Sequence, residues 1–332
     1  MKYRQIMVHT SVVASDLIVD YLAEELGIYG AEVTDGVPLT AAELSQMYVD
    51  IPAAQGVDDG KAVVSFYVDD ETADKDNILK SIDDELARLS EFMDVGDAFA
   101  RLGGVTSDDD WRSQWLAMNP PFMLSDTIAV DPTGSLGDDE LKTYLSECGI
   151  SEPDVKVIRI VSSGAFGTGE HETTKLCAAA LRDYIQDSPK VLDVGCGSGI
   201  LSIVAGMLGA DTVRGIDIDA VCEDSARANA AASDVDVSRI SFGTANLLGD
   251  EEVTDIDRDY DIVVANILDV VIEQLVQVIG DYMKPDGTFI SSGIRAENAD
   301  KVRKAYSAAG FDIVREDTMG EWVCIVGRPH NA

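Results

Sequence analysis

Lys190-Val191-Leu192-Asp193-Val194-Gly195-Cys196-Gly197-Ser198-Gly199 is the stretch on which the reading of this chain turns. Val191, Leu192 and Val194 are the aliphatic run of a buried strand, and glycines at every second position then permit a tight turn into the apolar helix Ile200 to Leu208. A ligand can lie directly on a backbone without Cβ atoms. The spacing is Gly-x-Gly-x-Gly, and Ile200 stands where the dinucleotide fingerprint carries its third glycine, so pyrophosphate is not the favoured ligand. A tight structural turn is the other reading of the same glycines.

Two acids extend the pattern. Asp193 sits at the strand end, two residues before Gly195, where an acceptor can order the loop or reach a ligand cation. Asp217 follows Gly195 by 22 residues and ends a second strand, Thr212 to Ile216. A carboxylate there is placed to take both hydroxyls of a ribose. Backbone open at Gly195 and Gly197, an acid beside it and a ribose-binding acid, without a phosphate loop, suit a cationic adenosine ligand. S-adenosylmethionine is the expected cofactor.

Segments on either side add candidates. Upstream, Phe166-Gly167-Thr168-Gly169-Glu170-His171-Glu172-Thr173-Thr174 sets two glycines before a helix whose first turn offers free backbone donors and hydroxyls. Such an end suits the carboxylate of a methionine moiety, and Thr168 and Thr174 count as candidate cofactor contacts. Helix capping by Thr173 or Thr174 is the structural alternative. His171 has two readings, a base or a residue that orients the loop. Downstream, Asn266 in Val263-Val264-Ala265-Asn266-Ile267-Leu268 ends the fourth strand and faces the same crevice. It is the candidate catalytic residue and a second cofactor contact, or else a turn residue. Enzymes that methylate planar amides or base amino groups typically follow this residue with Pro-Pro and an aromatic, which clamp the flat acceptor. Ile267-Leu268 offers no clamp, so the expected acceptor is a flexible alkyl amine.

Around this centre the chain reads as two domains. From about residue 163 strands and helices alternate: helix 173–185, strand 191–194, helix 200–208, strand 212–217, helix 221–231 and strand 238–242. Strand 260–265, helix 269–282, strand 287–292, helix 297–309 and the strand pair 312–317 and 322–327 follow. That alternation demands a mostly parallel α/β sheet with helices on both faces and one antiparallel edge over 161–332. Residues 1–95 read as a smaller α+β domain in the order of a ferredoxin-like fold: strand 3–10, helix 12–26, strand 62–68 and helix 75–92, with Ile78, Ile82, Leu86 and Leu89 on one stripe. Residues 96–160 read as a connecting region. Pro120-Pro121, Pro132-Thr133-Gly134 and Asp138-Asp139-Glu140 are turn and solvent signals, and Trp111 and Trp115 share a helix face.

Composition bounds the function. The 332 residues are 46% hydrophobic, enough for a large core, and carry 61 acidic against 25 basic side chains for a formal charge of −36. That balance opposes extended contact with nucleic-acid phosphates and favours a basic partner, solubility or adaptation to salt. Five cysteines without a Cys-x-x-Cys pair and three scattered histidines indicate neither a disulfide framework nor a metal site. The cysteine usage fits a reducing cytoplasm, the expected location; no basic leader followed by an apolar run is read at the N-terminus, and no apolar segment approaches the ~20 residues that span a bilayer.

Taken together these segments resemble the family of ribosomal-protein-L-eleven methyltransferases, PrmA. The resemblance rests on Phe166 to Thr174, Asp193-Val-Gly-Cys-Gly-Ser-Gly-Ile-Leu201, Gly215-Ile-Asp-Ile-Asp219, Ala265-Asn-Ile-Leu268 and Trp322-Val-Cys-Ile-Val-Gly-Arg328. It covers nearly the whole second domain and extends more weakly through Trp111-Arg-Ser-Gln-Trp115 to the N-terminal unit. It implies a Rossmann-like class I methyltransferase domain over 161–332, S-adenosylmethionine contacts from Thr174, Gly195, Asp217 and Asn266, and a substrate-recognition role for the first domain. The implied activity is methylation of lysine side-chain, and N-terminal, amino groups of the large-subunit ribosomal protein L-eleven. Departures are Glu170 and Glu172, where the family commonly has threonine and proline, and an acidic insertion around 134–154; both bear on substrate choice. From the residues alone, a methyltransferase for another protein or small amine and a non-catalytic adenosine-binding module remain alternatives.

Overall fold

The computed structural model describes residues 1–37, 58–147, 155–161, 169–249, 253 and 256–330. Contacts divide the chain into two units, Met1–Gln114 and Trp115–Ala332. Thr168, Cys148, residues 148–154 of the acidic insertion and the acidic run 250–252 lie outside the described residues.

In the first unit the order is β1 (Lys2–Ser11), α1 (Val12–Glu24), β2 (Glu32–Asp35), β3 (Lys61–Asp69), α2 (Lys75–Ser90) and β4 (Phe99–Ser107). The strands lie β2-β3-β1-β4, all antiparallel, which is the ferredoxin-like arrangement. Period-2 alternation puts Ile6, Val8, Val64 and Phe66 on one sheet face, where they bury against Ile18 and Leu22 of α1 and Ile82, Leu86 and Leu89 of α2. Each such side chain contributes about 1.5–3 kcal/mol by leaving water. Ser11 ends β1 and caps α1 by accepting from the Ala14 N–H at 3.3 Å; Asp74 does the same for α2 through Asn77.

The domain boundary expected at residue 95 moves. Strand β4, in the expected connecting region, pairs along β1 from Lys2 to His9 and closes the first sheet. Helix α3 (Asp108–Met118) follows, and the division between units falls inside it. Trp111 stacks on Tyr3 at 4.8 Å and meets Tyr67 edge-on at 5.0 Å, whereas Trp115 stays half exposed. The two tryptophans therefore do not share one packing role.

The second unit begins with β5 (Phe122–Ser125), β6 (Ile128–Asp131), α4 (Asp138–Glu147) and β7 (Lys156–Arg159), a small sheet ordered β5-β6-β7; β7 falls where a strand over 156–162 was expected, and the rest where loops were. Asp131 explains the Pro132-Thr133-Gly134 turn: fully buried, it accepts from the Thr133 and Leu136 backbone N–H groups at 3.0 Å each. Asp138, Asp139 and Glu140 form the first turn of α4, where acids face the positive end of the helix dipole, and Leu141 and Leu145 bury its other side.

The main sheet follows: α5 (Glu172–Tyr184), β8 (Lys190–Val194), α6 (Ile200–Leu208), β9 (Thr212–Asp217), α7 (Ala220–Ala232), β10 (Ile240–Thr244), β11 (Tyr260–Asn266), α8 (Asp269–Leu275), β12 (Met283–Arg295), α9 (Ala299–Ala308), β13 (Phe311–Met319) and β14 (Trp322–Pro329). Its order is β10-β9-β8-β11-β12-β14-β13, parallel except for β14, which runs antiparallel to β12 and β13. Alternate residues feed the two faces. Val191, Ile262 and Val264 join α5, α6 and α7 in one core, and Leu192, Val263 and Ala265 join α8 and α9 in the other.

Some boundaries differ from the sequence reading for local reasons. Helix 269–282 stops at Leu275, and a 3-10 turn, Ile279–Tyr282, containing Gly280, carries the chain into β12. Strand 238–242 starts two residues later, because Asp236 caps a 3-10 turn over Val237–Arg239 by accepting from the Ser238 N–H. Strand 287–292 lengthens to Met283–Arg295 and bends near Gly293, which has φ +85° and lies where the β12–β14 register shifts. A Cβ there would fall 2.1 Å from the Ile267 carbonyl oxygen, so only glycine lets these backbones approach. Gly293→Ala is expected to destabilise the protein by more than about 2 kcal/mol, read as a lower urea midpoint with an unchanged m value; an unaltered midpoint would mean that the loop after β11 yields at little cost.

Candidate active site

Strands β8 and β11 are neighbours at the centre of the sheet, and the chain leaves them toward opposite edges. That divergence opens the crevice in which open α/β sheets hold ligands, beyond the carboxyl ends of the strands. The glycine loop follows β8 there, with φ +74°, +50° and +79° at Gly195, Gly197 and Gly199. Left-handed backbone at alternate residues is accessible to glycine with little strain. The Gly195 and Cys196 N–H groups both donate to the Ile216 carbonyl, at 2.8 and 2.9 Å, fastening the loop to the end of β9.

Asp217 continues that attachment. Its Oδ2 accepts from the Gly197 N–H at 2.9 Å and its Oδ1 from the Asp219 N–H at 3.1 Å. A carboxylate has about four acceptor sites, and the Cys222 thiol also bonds this one, so capacity remains for ligand hydroxyls. At the end of β11, Asn266 Nδ2 donates to Thr174 Oγ1 at 3.2 Å. Ile267, the next residue, lies over the loop: a Cβ on Gly195 would fall 2.4 Å from its Cγ2. Contacts thus run from Thr174 through Asn266 and Ile267 to Gly195, and on through Gly197 to Asp217.

The start of α5 is capped by neither threonine. His171 is the capping residue: its Nδ1 accepts from the Thr173 N–H at 3.2 Å and lies 2.8 Å from Thr173 Oγ1. Its ring meets Trp322 edge-on at 4.8 Å, so His171 is tied to the helix start and to β14. Thr174 is buried and directed at Asn266. Glu170 and Glu172 flank this cap, and Glu172 Oε2 lies 3.9 Å from His171 Nε2.

Asp193 is 1% exposed. Its Oδ2 accepts from Ser202 Oγ at 2.6 Å, and burial pushes its pKa up to about 7 against that hydrogen bond. Ser202, in the first turn of α6, is itself fully buried and was not singled out from the sequence. Gly215 makes room for it, since a Cβ there would fall 2.8 Å from Ser202 Oγ. Gly293 was also missed, and Ile267 was weighed only for the clamp it lacks; a glycine after the paired serines of β12 was the only sequence signal for Gly293. Cys177, Cys196, Cys222 and Cys324 are buried free thiols, and burial raises Cys222 to about 11.

A cavity of about 290 Å³, lined by Tyr184, Asp261, Lys284 and Arg328 among others, lies by the amino ends of β8 and β11, away from these residues. Among the described residues no group of three or more His, Cys, Asp or Glu side chains is placed to hold a metal ion. Among them too, no helix is long and apolar enough to cross a membrane.

Comparison with known proteins agrees with this architecture. The profile of the family "Ribosomal protein L11 methyltransferase (PrmA)" matches residues 2–330. A ribosomal protein L11 methyltransferase of Lachnoclostridium phytofermentans is 37% identical over 346 aligned positions, covering 100% of both chains. That of Agathobacter rectalis is 38% identical over 333, covering 99% of each. The crystal structure of the ribosomal protein L11 methylase from Lactobacillus delbrueckii subsp. bulgaricus aligns with a TM-score of 0.53 at 28% identity, covering 63% of this chain and 99% of that one. With a full-length profile match and relatives of this identity, the chain belongs to the ribosomal protein L11 methyltransferase (PrmA) family.

Proposed function

We propose that this protein transfers the methyl group of S-adenosylmethionine to amino groups of ribosomal protein L11, lysine side chains above all and the N-terminal amine as a second acceptor. The observation that carries the reading is the connected set of Thr174, Asn266, Gly195, Gly197 and Asp217 at the carboxyl ends of β8, β9 and β11. These residues fit the cofactor. Asp217 retains acceptor directions for ribose hydroxyls, Gly195 and Gly197 leave backbone bare, and the buried carboxylate of Asp193 suits a ligand with a cationic centre.

When bound, the sulfonium supplies a methyl group already activated for in-line displacement, so the chain mainly positions the reactants. A lysine ammonium must first lose its proton, which costs about 4–5 kcal/mol at pH 7 for a pKa near 10.4. Partial desolvation of the acceptor beside a positive charge lowers that cost. With Nδ2 donating to Thr174, Oδ1 of Asn266 is the end of the amide left to accept from the incoming amine. Ile267 lies over Gly195 and Leu268 is half exposed, which leaves the acceptor side without an aromatic clamp and open to an alkyl amine.

Substrate recognition is assigned to the N-terminal unit, because the candidate contacts all follow residue 160 and the first unit closes its own core. The charge of −36 favours a basic protein partner and opposes nucleic acid. A ribosomal substrate places the reaction in the cytoplasm.

Mass spectrometry of purified ribosomal protein L11 after incubation with the enzyme and isotopically labelled cofactor tests the reading. Labelled methyl groups on lysine or the N-terminus are expected; label on free amines alone would overturn the protein substrate. Asp217→Ala should weaken cofactor binding more than tenfold by calorimetry, since each hydrogen bond to a charged acceptor is worth about 1.5–3 kcal/mol. Equal affinity in a folded variant would place the ribose elsewhere. Asn266→Ala should slow single-turnover methylation at saturating cofactor by about 10- to 1,000-fold, and an unchanged rate would reduce Asn266 to a turn residue.

A further inference from the structure

We propose that Ser202 is a positioning residue whose hydrogen bond eases ionisation of Asp193 beneath the glycine loop, so that binding of the sulfonium cofactor is coupled to release of the Asp193 proton. This rests on the cofactor assignment given above and adds a role for Ser202, which that assignment does not use.

The geometry makes the case. Asp193 ends β8 two residues before Gly195, is 1% exposed, and takes its hydroxyl hydrogen bond from Ser202 Oγ at 2.6 Å. The Ser202 backbone N–H also favours its charged form. A buried carboxylate with so few donors is poorly solvated, so the carboxyl group in that position keeps its proton until a cation approaches. Among the described residues its surroundings supply no cation to compensate. Gly215 of β9 and Val264 of β11 flank it in register and carry no charge. Cys177 of α5 and Cys196 of the loop interact with it electrostatically, and their thiols are raised, so they stay neutral. The remaining ionisable neighbour is Asp217, a like charge that raises Asp193 further. Burial is the largest cause, and the pair of Ser202 contacts opposes it.

A cationic ligand reverses the balance. It favours the carboxylate, so cofactor binding near neutral pH must expel a proton, and affinity must fall as pH drops and the proton competes. Ser202 sets where this occurs. Without its hydroxyl, Asp193 keeps its proton to higher pH and the cofactor binds more weakly at pH 7. A serine that merely fills space between Asp193 and Gly215 would leave proton uptake and release untouched.

Isothermal titration of S-adenosylmethionine into the full-length protein, in buffers of different ionisation enthalpy between pH 6 and 8.5, reads the proton count directly. For the wild type about half a proton should be released at pH 7, with the dissociation constant rising up to about tenfold per pH unit on the acid side. Ser202→Ala should shift both the release curve and the affinity curve to higher pH and weaken binding at pH 7 roughly tenfold. Asp193→Asn, which keeps shape and removes the titration, should abolish the buffer dependence. Urea unfolding of each variant confirms that the folded protein is being titrated. Buffer-independent heats for the wild type, or a Ser202→Ala curve at the wild-type pH, would overturn the proposal while leaving the cofactor assignment intact. Failure of the wild type to bind S-adenosylmethionine at any pH would instead overturn the assignment itself.

Discussion

The close approach of Ile267 to two glycines is the constraint on which the site depends. A Cβ on Gly195 would strike its side chain and a Cβ on Gly293 its backbone, so the ends of β8, β11 and β12 converge on one residue. Nothing larger than hydrogen fits at either place. The convergence sets the glycine loop beside Asn266, and Asn266 beside Thr174 of α5. Hydrogen bonds from the loop to Ile216 and Asp217 then fix its other side. Rigid strands on both sides define the position of the crevice before any ligand arrives, which is how a reaction that needs orientation more than chemistry is served.

Electrostatics reinforces this division of labour. Asp217 is half buried and uses its oxygens to hold the loop, whereas Asp193 is enclosed and answers to Ser202. Burial acts on the enclosed one and raises the pKa of Asp193. Most of the other acids lie on the surface. There they are used locally, as at the first turn of α4 and in the Arg303–Glu316 and Arg315–Asp183 pairs, which contribute little individually.

The main sheet was legible in the sequence because each of its elements has a local signature. Aliphatic runs at 191–194, 212–217 and 260–266 are buried on both faces, and the intervening helices show helical spacing. Strand β4 left no such mark: it is a sheet-edge strand, mostly exposed on both sides, with Gly103-Gly104 in its middle. Helix α4 was hidden for the opposite reason, since its acidic first turn reads as a solvated run unless the two buried leucines behind it are weighed. At the site, Asp193, Gly195, Gly197, Asp217, Thr174 and Asn266 could all be named in advance, because strand ends and glycine spacing locate them.

The sequence by itself determined the elements, the order in which strand and helix alternate, the glycine loop and the class of ligand that its acids suit, because these depend on residues near one another in the chain. Tertiary structure decided which distant residues meet. Ser202 beneath Asp193, Ile267 over Gly195, Trp322 against His171, and β4 beside β1 all arise where separate segments fold together. Burial of Asp193, and with it the proton it holds near neutral pH, is a property of that packing: the same aspartate in an open chain would be an ordinary, ionised acid.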